Sequence, residues 1–247
     1  MTTRIVILAA GRGTRMNSDL PKALVPLKGR AMIKRLLDSV LTANIDPKPI
    51  IVVSPDNKNV ISKALSDYKV EYVVQKQTLG TGHAVAAARN TINRKSPKVK
   101  NVLVLYADHP FISAKSISAL AGQEQSTLTI MPTVVPNFSG VYKTFYHWGR
   151  IIRNQQGQVE AIVEFRDADD EQILITEVNP GFMSFNKKWL FDNLDNLRAE
   201  NQQHEYYLTD LAKIAFIEGY QVGAINISPK EALGINSKEE LKLAESI

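Results

Sequence analysis

Through about residue 135, short aliphatic and β-branched runs alternate with stretches in which apolar residues recur at helical spacing. The runs predict strands at 4–9, 49–53, 70–74, 101–106 and 127–135. Between the first two, Met32, Ile33, Leu36, Leu37, Val40 and Leu41 mark one buried helix face. The stretches after Asn57, Thr81 and Ser113 repeat that period, each opened by a polar residue suited to a cap. Such alternation predicts βαβ units and a largely parallel sheet covered on both faces. Near residue 148 the texture changes. RIIRNQQGQVEAIVEF reads as two strands around a glycine turn, followed by an acidic loop and VNPGFMSF, which predicts a small, partly antiparallel lobe inserted into the fold. Helical patterns return at 187–197 and 209–218, the second ended by Gly219, before a strand near 220–227 and a last helix from Ser237. The division expected is a nucleotide-binding part at 1–135, a lobe with its return to the sheet at 136–227, and a closing loop and helix at 228–247.

Composition narrows the class. A chain of 247 residues with 44% apolar content can bury a large core, and its apolar runs fall short of the roughly 18 residues that cross a bilayer. With no cysteine there is no thiol nucleophile or cysteine-held zinc, and the four histidines lack metal-ligand spacing. The net charge of +5 suits anionic substrates, but the lysines are spread out and not interleaved with aromatics, which argues against nucleic acid as the partner. A cytoplasmic enzyme is the simplest expectation.

In α/β sheets ligands gather beyond the carboxyl ends of the strands, so residues just after strands carry the chemistry. The first strand runs into LAAGRGTRM, residues 8–16. Gly11 and Gly13 allow positive φ and close approach of backbone N–H groups to oxyanions, while Arg15 adds a fixed positive charge. Neither GxxxxGK[ST] nor GxGxxG is present, since residue 16 is Met. Lys22, stiffened by Pro21 and Pro26, can fold back with a second charge. Asp108 ends the apolar run VLVLYA and can hold Mg²⁺, for which Asn236, just before the last helix, offers a second oxygen. The amide of Gln75 carries the donor and acceptor that a uracil edge demands; Gly80 permits close approach to a base, and GTG opens a helix whose N-terminus favours anions. Glu164 and Asn179, at strand ends in the lobe, can bind sugar hydroxyls and an acetamido group. His83, His109 and Trp148 read as packing or pocket-wall residues.

Together LAAGRGTRM, LPKALVPLKG, QKQTLGTGHAV, LYADHP, GRIIR, IVEFRDA, EVNPG, EYYLTD and GINS resemble, in order, the motifs of sugar-1-phosphate nucleotidyltransferases. The likeness covers nearly the whole chain and is greatest to the uridyltransferase domain of the bifunctional bacterial enzyme that makes UDP-N-acetylglucosamine. It implies a Rossmann-like mixed sheet flanked by helices, and transfer of UMP from UTP to N-acetylglucosamine 1-phosphate with release of pyrophosphate. It implies Arg15, Lys22 and Asp108 as catalytic residues and Asp108 with Asn236 as ligands of Mg²⁺. It places Leu8, Ala9, Ala10, Gly11, Gln75, Gly80 and Thr81 around the nucleotide, and Tyr106, Ala107, Gly149, Glu164 and Asn179 around the product.

Four positions depart from the family pattern. Ala107 replaces the usual Gly before the metal-binding Asp, His109 follows it, Arg166 replaces a Lys beyond Glu164, and Trp148 replaces a Tyr. These bear on the sugar more than on the reaction, and leave glucose 1-phosphate or dTTP as alternative substrates. A non-catalytic sugar-nucleotide sensor or assembly subunit is the reading from another class, and the presence of Arg15, Lys22, Asp108 and Asn236 speaks against it. The bifunctional relative continues into hexapeptide repeats, whereas these residues stop in the last helix, so no acetyltransferase β-helix is expected in this chain. Oligomeric state has no signature in the sequence.

Overall fold

A computed structural model describes residues 2–11 and 13–247. The first strand, β1 (Thr3–Leu8), is buried throughout and leads through the glycine loop to a small hairpin, β2 (Pro26–Leu27) and β3 (Arg30–Ala31). Then come α1 (Met32–Ala43), β4 (Ile50–Val53), α2 (Lys58–Ala64), β5 (Glu71–Val74), α3 (Thr81–Lys95), β6 (Asn101–Tyr106) and α4 (Ala114–Ala121). The chain continues through β7 (Leu128–Ile130), β8 (Thr133–Val134), β9 (Gly149–Arg153), β10 (Val159–Val163), β11 (Glu177–Asn179) and β12 (Met183–Asn186). It closes with α5 (Lys187–Asn193), α6 (Asp210–Ile217), β13 (Gly223–Ala224), α7 (Pro229–Ala232) and α8 (Lys238–Glu245).

Seven strands form the central sheet in the order β13-β7-β12-β6-β1-β4-β5. Strands β1, β4, β5 and β6 are parallel, β12 runs antiparallel between β6 and β7, and β13 is parallel to β7. Alternation along β1 sends Ile5 and Ile7 into one core with α1 and α4, and Val6 and Leu8 into the other with α3 and α6. Both faces are covered, which is why β1, β4 and β6 read as unbroken apolar runs. The chain turns from one side of β1 to the other between β5 and β6. That reversal opens a crevice at the carboxyl ends of β1 and β6, where Ala9 N–H still bonds Val52 O at 2.8 Å and Ala107 N–H bonds Leu8 O at 3.0 Å.

A second, four-stranded antiparallel sheet has the order β10-β9-β11-β8. The single strand expected at 127–135 is two strands in two sheets. Pro132, which has no N–H for a ladder, lies at the change from β7 to β8, and the chain makes the same passage between β11 and β12 at Asn179-Pro180-Gly181. The small sheet is therefore joined to the central one by two adjacent crossings. The strand expected at 220–227 shrinks to Gly223–Ala224, although Ile225 and Ile227 keep donating to Ile130 and Pro132 at 3.0 Å each.

Two expected caps are used otherwise. Ser113 caps α4 through Ser116 N–H, but the Asn57 side chain bonds Ser54 N–H and the Ala9 carbonyl, and Thr81 lies inside α3 with its hydroxyl accepting from Leu208 N–H. Asn57 thus fixes the mouth of β1 instead of its own helix.

Candidate active site

A continuous cleft crosses the carboxyl end of the sheet. One half, about 210 Å³, is walled by residues 8–11, Lys22, Gln75, Gly80, Thr81 and Ala107; the other, about 330 Å³, by Arg15, His109, Trp148, Gly149, Glu164, Asn179 and Asn236. Thr81, Tyr106, Asp108 and Glu205 belong to both halves. All the residues expected at the site line this cleft except Gly13. Gly13 does take positive φ, 62°, but it sits behind Lys22, where an added Cβ would fall 2.5 Å from the lysine Cβ. Gly11 lines the cleft without a positive φ, so its contribution is an uncluttered backbone and not a left-handed turn.

Asp108 sits at the junction. The Lys22 ammonium donates to Asp108 Oδ2 and, at 2.5 Å, to Asn236 Oδ1. Lys22 is therefore paired with the two oxygens expected to hold a metal, not left beside Arg15. Backbone bonds set this up: Ile235 N–H donates to the Asp108 carbonyl at 2.9 Å, which draws the loop before α8 onto the end of β6. Ser237 then caps α8 by accepting from Glu240 N–H at 3.2 Å, and the Glu240 carboxylate accepts from Asn236 N–H. Burial pushes the Asp108 carboxyl up, but Lys22 and then His109 outweigh it and hold the group below the usual range, so it stays ionised.

The oxygens of Asp108 and Asn236 converge on a point already held by a cation, and both are hard donors. Among the described residues no three His, Asp or Glu side chains gather into a protein-only cage. A two-oxygen set of this kind fits Mg²⁺, which keeps water and substrate phosphate in its remaining positions.

Gln75 and Gly80 flank the other half. The Gln75 backbone N–H bonds Val53 O at 2.8 Å, and its side-chain Nε2 donates to Gly80 O at 3.1 Å. Gly80 needs both its positive φ, 105°, and its missing side chain, since a Cβ would lie 2.7 Å from the backbone N and O of Tyr206.

On the lobe side, Thr209 donates to Glu164 Oε1 at 2.9 Å, and Asn179 Oδ1 accepts from Gly181 N–H at 3.1 Å. Burial raises the Glu164 pKa, with Thr209 opposing and Asp210, Asp167 and Glu205 adding to it. Burial likewise pushes the Tyr106 hydroxyl up, leaving it a donor. His109 proves a wall residue, as read: its Nδ1–H donates to Ala232 O at 2.9 Å, and its ring packs on Phe182 at 4.9 Å and Trp148 at 5.5 Å. Burial lowers its pKa despite Asp108.

Sequence reasoning assigned nothing to Glu205, which borders both halves, or to Thr209, which bonds Glu164. Both lie in or beside EYYLTD, a motif recognised in the sequence but given no residue role. Among the described residues no helix is long and apolar enough to cross a membrane.

Comparison with known proteins agrees with this geometry. The MobA-like NTP transferase domain matches residues 5–204. The bifunctional protein GlmU of Clostridium novyi (strain NT) is 36% identical over 245 residues, 98% of this chain and 51% of that protein. GlmU of Ruegeria sp. (strain TM1040) is 38% identical over 251 residues, 100% of this chain and 53% of its own. The chain spans about half the length of these relatives. A crystal structure of UDP-glucose pyrophosphorylase complexed with UDP-glucose shares the fold with TM-score 0.76 and 19% identity, covering 100% of this chain and 98% of that one.

Proposed function

The chain belongs to the MobA-like NTP transferase domain family, a family of nucleotidyltransferases, and from that premise we propose that its cleft transfers UMP from UTP to N-acetylglucosamine 1-phosphate and releases pyrophosphate. The observation that carries the reading is the meeting of Lys22, Asp108 and Asn236 where the two halves of the cleft join. A nucleotide in one half and a sugar phosphate in the other would bring their phosphates to this point. The sugar-phosphate oxygen attacks the α-phosphorus in line and pyrophosphate leaves, so the protein supplies position and charge, not a nucleophile. Mg²⁺ held by Asp108 and Asn236 would neutralise charge on the α-phosphate.

Arg15 and Lys22 balance the phosphates, Lys22 by exchanging its carboxylate partner for a phosphate oxygen. The N-terminus of α3 at Thr81 adds its dipole. Residues 8–11 and Ala107 pack the nucleotide, with Gln75 at the base. Gly149, Glu164, Asn179 and Tyr106 hold the sugar; Gly149 leaves room for Glu164, whose Oε2 lies 3.4 Å from where a Cβ would stand. The wall formed by His109 and Trp148 favours a second reading, another sugar 1-phosphate in the same chemistry.

Pyrophosphate release with UTP and Mg²⁺ across a panel of sugar 1-phosphates tests both. Turnover highest with N-acetylglucosamine 1-phosphate supports the proposal, while silence toward it beside good turnover of glucose 1-phosphate moves the assignment to the second reading. Binding of UDP-sugar without any turnover would end both.

A further inference from the structure

His109 is only 6% exposed, yet it borders the sugar half of the cleft together with Asp108 and Asn236. Its Nδ1 lies 2.9 Å from the Ala232 carbonyl, which can only accept, so Nδ1 carries the proton and the neutral ring keeps its lone pair on Nε2. Nε2 has no hydrogen-bond partner among the described residues, and the carboxylate oxygen beside it, Asp108 Oδ1 at 3.8 Å, is another acceptor. Lys22 takes the other oxygen of that carboxylate. Gly234, two residues before Asn236, closes over the same part of the ring: a Cβ there would stand 2.6 Å from Nε2 and 2.7 Å from Cε1. The imidazole is thus held between Asp108 and the loop that carries Asn236.

We infer that His109 Nε2 is a third protein ligand of the divalent cation, and that the site therefore takes a first-row transition ion such as Mn²⁺ in preference to Mg²⁺. This rests on the cation seat proposed at Asp108 and Asn236. Two lone pairs side by side repel unless something positive stands between them. Donors bonded at about 2.1 Å to one ion are about 3.0 Å apart at a right angle and about 4.2 Å apart in line. The 3.8 Å between Nε2 and Oδ1 falls within that span. An Nδ1–H given to a backbone carbonyl is the support that liganding histidines use, since it fixes the tautomer and the direction of the ring. Mg²⁺ takes oxygen donors, so an imidazole nitrogen strengthens the hold on Mn²⁺ more than on Mg²⁺. Nothing in the spacing of the histidines announces this role, because the partners of His109 are its neighbour in sequence and an asparagine on a distant loop.

The test is pulsed electron-spin resonance of Mn²⁺ on the nucleotide-free chain, wild type and His109→Gln, beside calorimetric titration of both with Mn²⁺ and with Mg²⁺. Glutamine reaches as far as Nε2 does but offers an amide oxygen. The expected result is a directly bonded nitrogen in the wild-type spin echo, shifted when histidine is labelled with nitrogen-15 and lost in His109→Gln, with a preference for Mn²⁺ over Mg²⁺ about tenfold smaller in the variant. Circular dichroism establishes that the variant folds. If it does not, His147→Gln, which alters the other histidine of this half, must keep the nitrogen signal, and its loss there overturns the assignment to His109. Bound Mn²⁺ without a bonded nitrogen overturns the role of His109 while leaving Asp108 and Asn236 as ligands. Failure of the nucleotide-free chain to bind Mn²⁺ also overturns it, since three protein donors hold an ion without help from phosphate. Undiminished Mn²⁺ binding by Asp108→Ala overturns the cation seat itself, and this inference with it.

Discussion

At the scale of single residues, the site is a set of charges held by partners far away in sequence. Lys22 reaches Asp108 across 86 positions and Asn236 across 214. No local pattern encodes that meeting: a lysine in a proline-punctuated loop, an aspartate after a strand and an asparagine before a helix are each ordinary, and only the order of the motifs made them legible together. The pairing of Lys22 with both oxygens could not be read, because it depends on side-chain directions and not on spacing. Asp108→Asn keeps shape but removes the charge that pairs with Lys22. It is expected to lower kcat by about 10²–10³-fold with an unchanged far-UV spectrum, as loss of a preorganised electrostatic contact does. Full activity in steady-state pyrophosphate release would take Asp108 out of the reaction. Gly80→Ala acts on shape alone. Its Cβ meets the Tyr206 backbone, which cannot move aside as a flexible side-chain end would, at a φ that disfavours any side chain. A loss of about 2–3 kcal/mol in urea unfolding is expected, with weaker UTP binding.

The elements read well wherever a strand is buried on both faces. β1, β4 and β6 fall within a residue of their expected bounds, because unbroken aliphatic runs between turn signals have few other solutions. Reading failed where one apolar stretch serves two sheets, at Ile130 to Thr133, since the change of partner is decided by strands 50 residues away. The lobe has an organiser of its own that pattern could not disclose. Arg150, fully buried in β9, donates to Ile173 O at 3.0 and 3.2 Å, to Tyr146 O at 2.8 Å and to Trp148 O, with the Phe138 ring 4.7 Å from its guanidinium carbon. It ties the wall around Trp148 to the segment at 172–174 without a carboxylate partner among the described residues. Arg150→Met retains apolar volume but strands three carbonyls. It is expected to cost about 3 kcal/mol in chemical denaturation and to weaken sugar-phosphate binding more than UTP binding. Equal loss for both ligands would show that the lobe is not an independent lever on the sugar.

Over the whole molecule, the Lys22 ammonium stands apart from a cluster of carboxylates at the lobe end of the cleft, where Asp210, Asp167 and Glu205 act on Glu164. The net charge of +5 hides that separation. Its sharpest consequence is Asp210, at the start of α6, whose pKa is raised to about 6 by burial and by Asp167, with Lys213 opposing. The unfolded carboxyl titrates near the ordinary 3.8. Between those values the folded chain binds more protons than the unfolded one, so stability from this group falls as pH rises from about 4 to 6, and the deficit persists above that. Asp210→Asn removes the titration. Its advantage over wild type is expected to be near zero at pH 4, to grow to pH 6–7, and then to level at on the order of 1–2 kcal/mol, because Asp210 is partly exposed and solvent screens part of the cost of its charge. Thermal midpoints of the two proteins across pH 4–8 measure this difference directly. A constant gap would mean that Asp210 ionises in the folded chain as it does in the unfolded one, and that the crowded carboxylates of the lobe end do not burden the fold.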